Sequence, residues 1–323
     1  MNSKTGTIAA KPNYSGHFLK KETIGKLKRY RVLYLLLLIP VIHQILFSYL
    51  PIYGVTLAFK DFKMSRGILG SSWNNFENFK QLFSDMFFYK ALLNTLRMSL
   101  LSLFTGFPCT IIFALLLNEI FNIRFKRVIQ TISYLPHFLS WVIISGFIYQ
   151  MLSPQYGIIN ALLVNTGIID QPINFIISSN YFLVIYVLSG LWQGIGWGSI
   201  IYLSAIASID QAQYESAQLD GANRFQKAIY ITLPGLLPTI TVLLLLNIGS
   251  LLSVSFEQIF NLYTPATYDV ADVIDTFVFR QGIQYANYDY STAVGLFQNL
   301  IGFILLLLSN AFVRKFDNEY TIL

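Results

Sequence analysis

The sequence predicts an all-α polytopic membrane protein with six transmembrane helices. Three observations carry this. Hydrophobic residues make up 54% of the 323-residue chain and charged residues only 12%, far from the balance of a soluble domain. Apolar runs recur that are long enough to cross a hydrocarbon layer of about 30 Å as helices. Lys and Arg gather in the short segments that flank those runs on one side, which marks that side as cytoplasmic. The net charge of +6 therefore belongs to a membrane topology. Membrane lipid is an expected partner and nucleic acid is not.

Taken in order, residues 1–30 are polar and basic without sustained periodicity, which predicts a mostly disordered cytoplasmic tail. The first span lies within 31–53. A signal peptide is the competing reading, but the leading segment is long and no small-x-small cleavage site follows promptly. Residues 54–90 mix both charge signs with Trp73, Phe76 and Phe79 and predict an external loop. The core follows over 91–313. Its spans are expected at 92–117, interrupted by Gly106 and Pro108; at 128–152, carrying Pro136 and His137; at 181–207; at 235–256; and at 292–312. Residues 153–180 lack Lys and Arg and 257–290 are acidic and rich in Tyr, so both read as external. Residues 314–323 close the chain inside. Both termini are thus expected in the cytoplasm. The first external loop holds most of the Lys and Arg that fall outside, which weakens the charge bias without reversing it.

One polar stretch interrupts this pattern between the fourth and fifth spans. Residues 209–234 read IDQAQYESAQLDGANRFQKAIYITLP. Asp210 can accept from free backbone N–H groups and open a helix. Gly221 can take the left-handed conformation that closes it. A second helix is expected with Phe225, Ile229 and Leu233 on one face. Pro234 then stands as a first-turn proline where the fifth span begins. The stretch predicts a bent helix pair, too polar to span.

Glu215-Ser216-Ala217, Asp220-Gly221-Ala222 and Leu233-Pro234, at their spacing between two spans, resemble the EAA loop of ABC importer permeases. Ser216 departs from the usual alanine, a small-for-small change. The resemblance extends over roughly residues 89–313 and implies a type I importer permease (MetI-like) fold with a cytoplasmic coupling helix. On that resemblance Tyr214, Glu215, Ser216, Ala217, Asp220, Gly221 and Ala222 form the coupling set, with Tyr214 and Ala217 on the docking face. The run Ser133-Tyr134-Leu135-Pro136-His137-Phe138-Leu139-Ser140-Trp141 resembles the carbohydrate-uptake branch, in particular its LplB-like polysaccharide and oligosaccharide permeases. The branch implies a second permease subunit, two ATPase subunits, an extracytoplasmic solute-binding protein and an oligosaccharide substrate. Alternatives are a permease for another solute, such as an amino acid or glycerol phosphate, and an ATP-independent channel or scaffold.

No G-x-x-x-x-G-K-[ST] phosphate cradle is present. The chain is expected to be no enzyme and to hold no cofactor, with ATP and Mg bound by a partner ATPase. His17, His43 and His137 are too scattered for a metal site. His137 follows a proline and is expected to satisfy backbone groups freed there. Cys109 stands alone within a span, so no intrachain disulfide can form.

Broken spans point to a binding site, because unwound backbone is tolerated only where it lines a cavity. The fourth span carries Gly190, Gly194, Gly196 and Gly198, each costing a helix roughly 1 kcal/mol relative to alanine. Close approach of a ligand and tight helix packing both explain them. Trp192, Gln193 and Trp197 lie among these glycines. Asn247, Ser250, Val254 and Glu257 follow at helical spacing through the fifth span, and Gln298 and Asn299 sit in the sixth. Together these are the expected substrate path, since an indole beside amides suits a sugar. Arg97, the cation within a span, either snorkels to the outer interface or attracts an acidic substrate.

Overall fold

The computed structural model describes residues 29–316. The basic tail expected over 1–30 lies outside the described residues as far as 28, as do His17 and residues 317–323. The chain divides into two compact units at Val55 and Thr56. Helix α1 (Arg31–Gln44), in the first, passes through a π turn at Ile45–Tyr49 into a 3-10 segment, Leu50–Phe59, within which the division falls. The run Arg31–Phe59 is long and apolar enough to span.

Among the described residues of the second unit, strands are confined to one pair of two residues each. Strand β1 (Lys60–Asp61) pairs antiparallel with β2 (Ser72–Trp73). Phe59 packs against Trp73, Phe76 and Phe79, so the aromatics of the expected external loop fold it. Asn78 donates to the carbonyls of Ala58 and Lys60. Helix α2 (Glu77–Ser84) leads to α3 (Met86–Asn118), the second span. It begins six residues earlier than expected because Asp85 caps it, accepting from the Phe87 N–H at 2.8 Å.

The third span is not straight. Helix α4 (Ile123–Tyr134) gives way to a 3-10 turn at Leu135–Phe138, and α5 (Trp141–Leu152) restarts at an angle of 101°. Pro136 has no N–H to continue the ladder, and its ring crowds the carbonyl one turn back. Helix α6 (Ile158–Asn165) follows, where Asn160 donates to three backbone carbonyls, those of Leu152, Ser153 and Ile173. The fourth span, α7 (Ser179–Ala207), is continuous through all its glycines.

A short helix, α8 (Gln211–Leu219), comes next. The second helix expected before Pro234 forms from Arg224 but does not stop at the proline. One run, α9 (Arg224–Gly249), carries through Pro234 and Pro238 to form the fifth span. The π turn at Ala228–Thr232 accommodates the proline by respacing the ladder just ahead of it. The span ends at Gly249 instead of continuing to 256. Residues 250–255 are irregular, and Ser255 caps a new helix, α10 (Phe256–Leu262). The stripe expected from Asn247 to Glu257 is therefore split between two helices. After α11 (Ile274–Phe279), α12 (Tyr288–Phe316) forms the last span. Among the described residues five runs are thus long and apolar enough to cross, and the bent pair α4–α5, counted as one span, brings the number to six.

Apolar clusters join these helices at successive levels. Leu82, Phe88, Ile274, Phe277 and Val294 form one, Met98, Phe182, Ile259 and Val273 a second, and Ala114, Tyr202, Ile206 and Leu236 a third. The segment between α10 and α12 is stitched onto the spans by buried polar groups. Asn94 donates to the Asp269 and Asp272 carbonyls, the Ile274 N–H donates to Thr95 Oγ1, and Gln258 donates to the Tyr186 carbonyl at 2.7 Å. Irregular backbone at this position needs such partners, since lipid supplies none.

Candidate functional site

Two places in the second unit hold the residues the sequence singles out. The first is the elbow between α7 and α9. Asp210 caps α8 by accepting from the Ala212 N–H at 3.0 Å. Gly221 stands at φ +79°, where a Cβ would be strained, and the Ala222 N–H closes the helix end on the Ala217 carbonyl at 2.8 Å. Asn223 and Gln226 then form a reciprocal capping box at 2.9 and 2.8 Å. That N-x-x-Q signature is readable in the sequence, although it lies outside the residues of the EAA pattern.

Glu215, Ser216, Asp220 and Gly221 are exposed on this elbow, and Tyr214, Ala217 and Ala222 are half-buried. The Tyr214 hydroxyl meets Thr232 Oγ1 at 2.9 Å, so Tyr214 faces the foot of α9. Leu219 is 89% exposed and Phe225 74% exposed, apolar groups at the tip that the coupling set does not include. The Arg224 guanidinium lies 4.1 Å over the Phe121 ring, tying the elbow to the turn before α4.

The second place is a cavity of about 470 Å³ between α3, α7, α9 and the irregular segment after Gly249. Ser99, Ser102, Thr105 and Thr110 line it from α3. Gly190, Gly194 and Gly198 open one face of α7 to it, while Asn247, Ser250 and Gln258 close the third side. None of its lining side chains carries a charge. Ser102 Oγ donates to the Tyr186 hydroxyl at 3.1 Å. Ser99 Oγ is buried without a hydrogen-bond partner among the described residues. The stripe Ser99, Ser102, Gly106, Thr110 runs at helical spacing, a signal of the same kind as the polar stripe of the fifth span.

Gly196 serves the other explanation of the glycines. A Cβ there would lie 2.1 Å from the Ser133 carbonyl oxygen, so α4 crosses α7 at this residue. Gly190, Gly194 and Gly198 line the cavity instead, so the glycines of α7 fall into two groups. Trp192, Gln193 and Trp197 fall on faces of α7 that do not line the cavity. Trp197 stacks on His137, 4.6 Å between centroids and 3° from parallel. His137 Nδ1 is buried without a partner, so this nitrogen does not satisfy freed backbone as expected; the proline's effect is taken up by the bend.

A smaller cavity of about 350 Å³ lies on the other side of the irregular segment, lined by Asp275, Gln298 and Asn299 among others, with Ser250 and Ser253 shared between the two. Gln298 donates to the Leu252 carbonyl and, at 3.0 Å, to Asp275 Oδ1. Burial pushes the Asp275 carboxyl up, against the Gln298 amide and Val254 N–H that favour its charged form. Glu257 is exposed at the start of α10 and Arg97 is exposed on α3; neither lines either cavity.

The family described as "Binding-protein-dependent transport system inner membrane component" matches residues 106–321. Protein LplB of Bacillus subtilis (strain 168) is 42% identical over 297 residues, 92% of each chain. The polygalacturonan/rhamnogalacturonan transport system permease protein YteP of the same organism is 40% identical over 300 residues, 93% of each chain. Among solved structures, a chain of a bacterial ABC transporter involved in the import of the acidic polysaccharide alginate is 40% identical. It superposes with a TM-score of 0.83 over 92% of this chain and 100% of that one. A second alginate transporter structure, in complex with alginate pentasaccharide-bound periplasmic protein, gives a TM-score of 0.82.

Proposed function

The chain belongs to the family of binding-protein-dependent transport system inner membrane components, and from that premise we propose that it forms half of the pore of an oligosaccharide importer. It is a multi-pass membrane protein and a permease subunit of an ABC importer, not an enzyme. Its complement is a second permease subunit, two ATPase subunits that bind ATP and Mg, and an extracytoplasmic solute-binding protein. The chain sits in the bacterial plasma membrane with both termini in the cytoplasm, which puts the elbow on the ATPase side.

The elbow is the single observation that carries this reading. A capped helix of nine residues projects between two spans and exposes Leu219 at its end, with Phe225 exposed just beyond the turn at the start of α9. An apolar tip on a short helix fits a groove in a partner protein. Closure of the ATPase dimer on ATP displaces this helix and rocks the spans, so the path alternates between the two sides of the membrane. Substrate passes along the uncharged, hydroxyl-lined cavity, where Ser99, Asn247 and Gln258 offer hydrogen bonds to sugar hydroxyls. Gln298 and Asn299 extend the path past the irregular segment. Trp192, Gln193, Trp197, Glu257 and Arg97 are assigned to surfaces met by lipid or by the second permease.

The test is reconstitution of the assembled transporter in proteoliposomes with its binding protein. Oligosaccharide-loaded binding protein is expected to stimulate ATP hydrolysis and drive sugar uptake. Failure of any ATPase to co-purify with the chain, or uptake independent of ATP, overturns the reading.

A further inference from the structure

The foot of the fifth span is tied to the elbow by side-chain hydrogen bonds. Thr232 is the last residue of the π turn Ala228–Thr232 and is 3% exposed. Its hydroxyl donates to the Lys227 carbonyl at 3.4 Å, five residues back, and meets the Tyr214 hydroxyl at 2.9 Å. With the Thr232 proton directed to Lys227, Tyr214 is the donor in the second bond. A chain of bonds therefore runs from the middle of α8 to the turn where α9 departs from regular α-helix. Lys227 returns the connection through its ammonium, which donates to Gln218 Oε1 at 3.3 Å.

The position of this bond matters mechanically. The ladder of α9 is weakest at its foot. Pro234 offers no N–H to the carbonyl of Tyr230, and Pro238 none to that of Pro234. A π turn beside a proline can respace at small cost, whereas a regular helix bends as a rod. Without a second tie, displacement of α8 would be absorbed at this soft joint. With Tyr214 bonded to Thr232, the displacement passes across the joint into α9, whose far end carries Leu243 and Asn247 on the cavity wall.

We propose that Thr232 is a positioning residue for transport: through its bond to Tyr214 it locks the π turn to the coupling helix, so that motion of the elbow reaches the cavity-lining end of α9. The proposal rests on the transport reading above and adds to it the route by which the motion travels.

The experiment uses the assembled transporter in proteoliposomes and reads sugar taken up per ATP hydrolysed. Thr232→Val keeps the shape and removes the hydroxyl; Tyr214→Phe removes the other partner. Each is expected to lower sugar per ATP about 3- to 10-fold, the range one hydrogen bond sustains in an equilibrium, with thermal stability and ATPase co-purification retained. Thr232→Ser, which restores the hydroxyl, is expected to recover the wild-type ratio. The double variant is expected to be no worse than either single one, because both remove the same bond. A wild-type ratio in Thr232→Val, or losses that multiply in the double variant, overturns the proposal while leaving the transport reading intact. A wild-type complex that takes up no sugar on ATP overturns both. If Thr232→Val does not assemble, Tyr214→Phe and Thr232→Ser decide the question by the same ratio.

Discussion

Gly196 and Ser133 approach so closely that a single added methyl group cannot be placed between them: a Cβ on Gly196 would lie 2.1 Å from the Ser133 carbonyl oxygen and 3.0 Å from its Cβ. The crossing of α4 over α7 depends on this contact. It sets where the bent third span meets the fourth and brings His137 over Trp197.

Gly196→Ala is therefore expected to destabilise the protein by about 1–3 kcal/mol, the usual range for overpacking. Gly194→Ala, with open space around it, is expected to be neutral or mildly stabilising through helix propensity. Thermal unfolding of the two purified variants in detergent checks the contrast.

Filling the cavity separates folding from transport. Gly194→Leu projects a side chain into the space of about 470 Å³ without meeting a neighbour within 4 Å of its Cβ. Sugar uptake is expected to fall at least tenfold, equivalent to about 1.4 kcal/mol or more on the transport barrier, while the unfolding temperature holds. Unchanged uptake would place the path elsewhere.

Asp272 and Arg280 form an ion pair with their side chains 12% and 14% exposed, and the guanidinium also lies 5.2 Å from the Tyr268 ring centroid. Asp272 Oδ1 accepts from Arg280 Nη1 at 3.0 Å and from Thr276 Oγ1 at 2.8 Å. Removing one partner leaves the other charge buried and unpaired. Asp272→Asn and Arg280→Met are each expected to cost about 3–5 kcal/mol, with the double variant well short of the sum. Chemical denaturation of all three measures it.

The Asp275 carboxyl is raised by burial, so the folded state binds this proton more tightly than the unfolded chain does. Its contribution to stability is then present at low pH and is lost as pH rises from the ordinary carboxylate value to the raised one. Asp275→Asn, which still offers Gln298 one acceptor, is expected to flatten that part of the stability–pH curve. A profile unchanged by the substitution would mean that the carboxyl is not perturbed.

Several features of the fold and the elbow are legible in the order of residues alone. Asp210 and Gly221 act locally, one as acceptor for a neighbouring N–H and the other at a left-handed turn, so their roles follow from side-chain chemistry and spacing. The fourth span, expected over 181–207, is found as Ser179–Ala207, because its apolar length is a property of the chain alone. The fate of the prolines is not legible in the same way. Pro136 bends its span by 101°, whereas Pro234 sits within a continuous run. A proline removes an N–H in both cases, but whether the helix turns or respaces depends on what packs beside it.

By itself the sequence determined the membrane class, the number and order of the apolar segments, and the capped elbow between the fourth and fifth. Each depends on hydrophobic length or on contacts a few residues apart. Only the tertiary structure decided which polar residues share a cavity. It turned Ser99 and Asn247 toward one space and left Trp192 and Arg97 on other faces, and it joined Asp275 to Gln298 across 23 residues. The direction a side chain takes around a buried helix is set by the neighbours it packs against, and those neighbours are distant in the chain.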